Sequence, residues 1–164
     1  MNDLDILACD IQNAYLTALC GEKIWARAGP EFGSEEGTIM IFQMALYGLK
    51  SSGAAVREKL AGVLHDIGYT PYKADPDVWL RPAVKPYGAE YYEMVLCYID
   101  DVLAISDMPM RTMDGIRSVL KLKDDKAELP DVYLRATLSQ VETETGTKFL
   151  SMSSEKYVKA AIKT

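Results

Sequence analysis

Positive charge, cysteine and long apolar runs are all scarce in this chain of 164 residues. Lys and Arg total 18 against 24 Asp and Glu, a net charge of −6. Contact with phosphate needs Lys and Arg, so at face value this balance argues against a nucleic-acid binder. The three cysteines, Cys9, Cys20 and Cys97, are too few for a disulfide scaffold. None stands in a CxxC or CxxH spacing, which argues against a structural zinc site. They read as reduced, mostly buried thiols of an intracellular protein. The longest uninterrupted apolar run is the six residues Met94 to Ile99. A membrane-spanning helix needs roughly 20, so no membrane partner is expected. Asn2, Asp3 and Asp5 behind Met1 leave no room for the apolar core of a signal peptide. There is no internal repeat, low-complexity tract or long linker, so one domain over residues 1–164 is expected.

What is present is an ordinary core composition, 49% hydrophobic and 26% charged. The charge is unevenly placed. Residues 1–107 carry eight basic and sixteen acidic side chains, whereas residues 108–164 carry ten basic and eight acidic. An acidic patch that collects divalent cations can still meet phosphate through those cations. The charge objection to nucleic acid therefore has to be settled by motifs.

Residues 4–9 (LDILAC) read as a strand ending at Asp10, and 12–19 as a helix stopped by Gly21. Strands are expected at 23–27 and 38–44. From Ser51 to Ile67, Val56, Leu60, Val63, Leu64 and Ile67 fall on one helical face. Ser51 or Ser52 caps this helix, and Gly68 ends it. A short strand follows at 77–81, then two arms of a hairpin at 90–98 and 102–106. A helix over 110–122 turns Met113, Ile116, Val119 and Leu120 inward. A second hairpin joins 131–141 to 148–152 around Thr145, Gly146 and Thr147. A last helix, 154–163, is capped by Ser154 and carries Tyr157, Val158, Ala161 and Ile162 on one face. Hairpins with helices between them predict an α+β fold, an antiparallel sheet with helices packed on one face.

Tyr98-Ile99-Asp100-Asp101 does not read as an ordinary turn. Adjacent carboxylates repel, and between apolar strand arms their partial burial costs several kcal/mol unless they are neutralised. A turn needing only polarity is better served by Asn-Gly or Asp-Gly. A divalent cation would remove the cost. Asp10 also ends an apolar strand, where it reads either as a helix cap or as a third ligand. If strand 4–9 lies beside the 90–106 hairpin, Asp10 and Asp100 converge. Mg²⁺ is held by a few carboxylates together with substrate phosphates. Two such ions, about 3.5–4 Å apart, clamp the attacking and leaving oxygens of a phosphoryl displacement.

Ordered phrases along almost the whole chain resemble the reverse transcriptase of copia-type LTR retrotransposons. They are Asp10 to Leu16 (DIQNAYL), Glu22 to Trp25 (EKIW) with Gly29 to Gly33 (GPEFG), and Ala45 to Ser51 (ALYGLKS). Gly68-Tyr69 with Asp75 to Trp79 (DPDVW), and Tyr98 to Asp101 (YIDD), continue the series. Tyr133 to Ala136 (YLRA), Leu150 to Ser153 (LSMS) and Lys156 to Lys159 (KYVK) complete it.

The resemblance implies a right-hand polymerase palm acting as an RNA-directed DNA polymerase. Asp10, Asp100 and Asp101 would be catalytic metal ligands for Mg²⁺ or Mn²⁺, with Tyr98 supporting the motif. Tyr15 would stack under the incoming sugar and exclude a 2′-hydroxyl, against the plainer alternative of helix packing. Main-chain amides from Ile11 to Tyr15 would bind the triphosphate at a helix start, and Lys50 would lie near template or nucleotide. Lys121 or Lys123 would protonate the leaving pyrophosphate or merely be solvated. The implied partners are an RNA or DNA template-primer and a dNTP. The implied setting is a longer polyprotein in the cytoplasm or a virus-like particle. On the same comparison, the upstream fingers segment and the downstream RNase H region lie outside this chain. Two departures stand out: Ser51 to Val56 (SSGAAV) where the family has Gln and Pro, and Arg135 where it has glycine. They keep a second reading open, a catalytically inactive remnant that folds and binds metal or nucleic acid weakly.

Overall fold

The computed structural model describes residues 4–146 and 148–162. The chain opens with strand β1 (Asp5–Asp10), followed by a single helical turn, α1 (Ala14–Thr17). Short strands β2 (Trp25–Arg27) and β3 (Ile39–Ile41) flank a loop that contains a 3₁₀ segment over Pro30–Glu35. Helix α2 (Ser52–Asp66) leads to β4 (Thr70–Pro71), β5 (Val78–Val84), β6 (Glu90–Tyr98) and β7 (Asp101–Ser106). Helix α3 (Pro109–Arg117), strands β8 (Val132–Tyr133), β9 (Ala136–Glu142) and β10 (Lys148–Ser153), and helix α4 (Glu155–Ile162) complete it.

Five strands form one antiparallel sheet in the order β1-β7-β6-β5-β4. Successive side chains in a strand point to opposite faces, and here the two faces have different covers. Cys9, Val102, Ala104, Val95 and Trp79 form one core with Val56, Leu60 and Leu64 of α2 and Met113 and Ile116 of α3. On the opposite face Leu103, Ile6, Ile105 and Leu96 pack against Tyr133, Leu138 and Leu150 of the three-stranded sheet β10-β9-β8. The fold is therefore α+β, with α2 and α3 on one face as the patterning predicts, and on the other a small second sheet against which α4 packs. Among the described residues, β2 and β3 pair only with each other. Among the described residues, no helix is long and apolar enough to cross a membrane.

Helix α2 ends as its sequence requires. Gly68 takes a φ of 89°, its amide donates to the His65 carbonyl (2.9 Å), and the Tyr69 amide donates to that of Leu64 (2.9 Å). This is the Schellman arrangement, whose left-handed position favours glycine. The start differs from expectation. Ser51 does not cap the helix with its side chain; its hydroxyl and amide both donate to the Glu22 carboxylate (2.5 and 2.9 Å).

Three other elements differ from their expected extent or cap. The helix expected over 12–19 is one turn, because Ala18 turns extended and the chain pairs with residues 43–45 before Gly21 is reached. Its carbonyl accepts the Ala45 amide (3.0 Å), and the Cys20 amide donates to Gln43 (2.8 Å). The helix expected over 110–122 stops at Arg117 and leaves Val119 exposed, because Leu122 is drawn into a bridge with Ile11. In α4, Ser153 rather than Ser154 supplies the hydroxyl that accepts the Glu155 amide (3.3 Å), and Tyr157, Val158 and Ile162 face outward. Thr147 and Lys163, part of the expected last hairpin and helix, lie outside the described residues.

Candidate active site

The register of β1 on β7 sets Asp10 directly opposite Asp101. Directly opposed residues share a face, and this pair lies on the face away from the helices. β6 meets β7 through a two-residue turn, Ile99-Asp100, closed by the Tyr98–Asp101 pair. The Asp100 carbonyl accepts the Ile11 amide (2.9 Å), which ties the turn to the end of β1. The three aspartates thus come from two strand ends joined by the backbone. Ile99 has a φ of 57°, an uncommon backbone state for a β-branched residue. A two-residue hairpin loop with positive φ at its first position normally takes glycine there.

The carboxylates affect one another. Asp101 is pushed above the usual carboxylate range by burial first, then by Asp100 and Asp10, with Lys123 opposing. Lys123 Nζ lies 3.3 Å from Asp10 Oδ2. That hydrogen bond and the Asp10 charge hold its ammonium above the usual lysine range. A groove of about 500 Å³ opens beside them, lined by Asp10, Asp101, Lys123, Lys126 and Tyr133. A neighbouring groove of about 590 Å³ is lined by Tyr98, Asp101, Val132, Leu134 and Arg135. Asp101 lies in both.

The Tyr15 ring sits 4.2 Å from the Tyr47 ring at an interplanar angle of 51°. Tyr15 is half-buried against the helix-side core, and Tyr47 is exposed. The Tyr47 hydroxyl is pushed up by loss of water, then by Asp100, Tyr15 and Asp10. Tyr47 therefore stands within the field of the carboxylates. Tyr47 had no role from sequence; its signal was its place in Ala45 to Ser51, beside Gly48, whose φ is 91°.

Other expected residues are placed differently. Ile11 is buried at 1% exposure, and its amide is engaged by Asp100. The Gln12 amide donates to the Lys121 carbonyl (2.9 Å). Two amides of the expected triphosphate-binding run, Ile11 to Tyr15, are therefore occupied within the chain, and α1 behind them is only one turn long. Lys50 is exposed, and its charge acts on Glu22. Of the two candidate lysines, Lys123 is the one brought to Asp10. Tyr98 is exposed beside Asp101.

Among the described residues, no three His, Cys, Asp or Glu side chains close into a metal-binding group. The donors present are two register-paired carboxylates with a third at the adjoining turn, all hard oxygen ligands. This open set suits Mg²⁺, which keeps waters and substrate phosphates in its shell and is seldom caged by protein alone.

Compared with known families, residues 2–164 match the model described as reverse transcriptase (RNA-dependent DNA polymerase). No curated protein matches the chain.

Proposed function

This chain belongs to the reverse transcriptase (RNA-dependent DNA polymerase) family, and on that premise we propose that it is the palm domain of a copia-type retrotransposon polymerase. In this proposal residues 1–164 form one domain of a longer polyprotein, at work in the cytoplasm or inside a virus-like particle. The observation that carries it is the Asp10–Asp101 register pair, with Asp100 tied to β1 through the Ile11 amide.

Asp10, Asp100 and Asp101 would hold Mg²⁺ or Mn²⁺. Bound there, the metal supplies activation of the primer 3′-hydroxyl and charge stabilisation for the leaving pyrophosphate. The chain's own residues orient the reaction. Asp10 and Asp101 present their oxygens to one groove from a fixed strand register. Tyr15, with Tyr47 against its ring, excludes the ribose 2′-hydroxyl of the incoming nucleotide. In this reading Lys123, bonded to Asp10, passes a proton to the leaving pyrophosphate. Tyr98 flanks Asp101, and Lys50 contacts template or nucleotide. Template and primer run through the grooves by backbone contacts that carry no sequence information.

Two observations favour the second reading, an inactive remnant. The Ser52 hydroxyl, in the divergent 51–56 stretch, is buried without a hydrogen-bond partner. Arg135, where the family has glycine, holds a φ of 66°. Extension of an oligo(dT) primer on poly(rA) with dTTP and Mg²⁺ separates the two. The polymerase reading expects incorporation that Asp10→Asn and Asp100→Asn abolish. A folded, metal-binding chain that extends nothing is the remnant.

A further inference from the structure

We infer that Lys123 is a built-in counter-cation of the Asp10 carboxylate, held on it when no divalent ion is bound and displaced when one arrives. The inference deepens the proposed function, because it rests on Asp10 being a metal ligand.

Position is the first support. The contact joins residues 113 apart in sequence, so local chain geometry does not create it. Segment 121–128 is fastened to the end of β1 on both sides of Lys123. Before it, Ile11 and Leu122 form a bridge and the Gln12 amide donates to the Lys121 carbonyl (2.9 Å). After it, Ala8 and Glu128 exchange two backbone bonds (2.8 and 3.0 Å). Between these fastenings the chain makes a 3₁₀ turn over Lys123–Asp125, with left-handed φ at Asp124 (54°) and Asp125 (52°). Two consecutive non-glycine residues in that state are rare and unfavourable. Arg117 holds the turn in place by donating to the Asp125 carbonyl (3.2 Å) and pairing with the Asp125 carboxylate (3.1 Å). The fold thus maintains an unfavourable excursion, and that excursion carries Lys123 to Asp10.

Strength is the second support. Three carboxylates at two strand ends repel one another, and Lys123 offsets that repulsion. Yet the pair is wet, with side-chain exposures of 61% and 37%. Exposed ion pairs are weak, so this one can satisfy Asp10 without locking it. A divalent ion carries twice the charge and reaches more than one carboxylate, so it wins the exchange. A buried pair would compete far harder.

The test is Mn²⁺ binding to the whole chain, measured from the electron paramagnetic resonance of the free ion. Lys123→Met should bind Mn²⁺ roughly two- to fivefold more tightly than the parent, the range given by an exposed ion pair. Lys123→Arg, which keeps the cation, should stay close to the parent. Lys126→Met removes a charge from the same groove without removing the residue bonded to Asp10, and should change affinity less than Lys123→Met. Circular dichroism of each variant checks that it is folded. Parent-like or weaker binding by folded Lys123→Met would overturn the inference. If the parent still binds and Asp10→Asn does not, the metal site stands and only the counter-cation role fails. If the folded parent binds no Mn²⁺, both fall together.

Discussion

Two roles are open to Tyr15, sugar selection and packing, and chemistry can separate them. Its ring packs partly into the helix-side core and partly against Tyr47, which feels the charges of Asp100 and Asp10. If it excludes the ribose 2′-hydroxyl, Tyr15→Ala should shrink the dNTP-to-rNTP ratio of kcat/KM by tenfold or more, since each ~1.4 kcal/mol of lost clash is a factor of ten. If it only packs, the variant loses stability and all activity falls without a change in sugar choice. Fully buried aromatic truncations cost about 3–5 kcal/mol, and a half-buried ring should cost less. Paired kinetics with one dNTP and its matching rNTP, alongside a urea midpoint, decide between them. An unchanged ratio in a destabilised variant would remove Tyr15 from the nucleotide site.

The elements show what patterning reveals and what it hides. The β6–β7 hairpin, α2 and its Gly68 terminus were legible because apolar period and turn chemistry agreed locally. The ends of α1 and α3 were not, because partners far along the chain decide them: residues 43–45 capture Ala18 to Cys20, and Ile11 captures Leu122. Asp10, Asp100 and Asp101 could be proposed from strand ends alone, whereas Lys123 over Asp10 depends on a loop whose course no periodicity describes. Glu22 stood in a recognisable phrase, but its bonds to Ser51 at the start of α2 needed the fold. Turn backbones explain two local oddities. Leu134 and Arg135, the central pair of the β8–β9 turn, both have positive φ (47° and 66°). That is why a glycine suits position 135, and the Arg135 guanidinium over the Tyr157 ring (5.6 Å) partly offsets the strain. Ile99, 40% exposed, carries a positive φ of 57° in the β6–β7 turn. The left-handed state costs an L-residue roughly 1–2 kcal/mol, and glycine returns about 0.5–1 kcal/mol of that as chain entropy. Ile99→Gly should therefore raise the urea-derived stability by up to about 1.5 kcal/mol while loosening Asp100. A destabilised Ile99→Gly would show that the turn is held by Ile99 packing and not strained by it.

Across the whole molecule, the central sheet separates two chemistries. Asp10 and Cys9 are chain neighbours on opposite faces: the carboxylate meets the groove, and the thiol meets the helices. Cys9 and Cys97 both stand opposite Val102, one on each side of β7, within the helix-side core. Burial pushes each thiol from 9.0 up to about 12; Asp10 adds to the rise at Cys9 and Asp77 at Cys97. The sign of the consequence follows from proton binding. Above pH 9 the unfolded chain loses protons from these thiols while the folded chain keeps them, so unfolding gains on folding. The stabilising difference is complete below pH 9 and is lost as pH rises towards 12. Each thiol contributes a slope of up to about 1.4 kcal/mol per pH unit. Tyr69 also has its phenol pushed up, chiefly by burial, so it weakens the fold in the same direction near and above pH 10. The useful window is therefore pH 9 to 10, with the difference between two proteins as the readout. Urea midpoints of the parent should fall more steeply across that window than those of Cys9→Ala/Cys97→Ala, although the double variant starts from lower stability because two buried side chains have been truncated. Equal slopes would mean that water reaches these thiols in the native sheet, and the helices would then not seal the face behind the carboxylates.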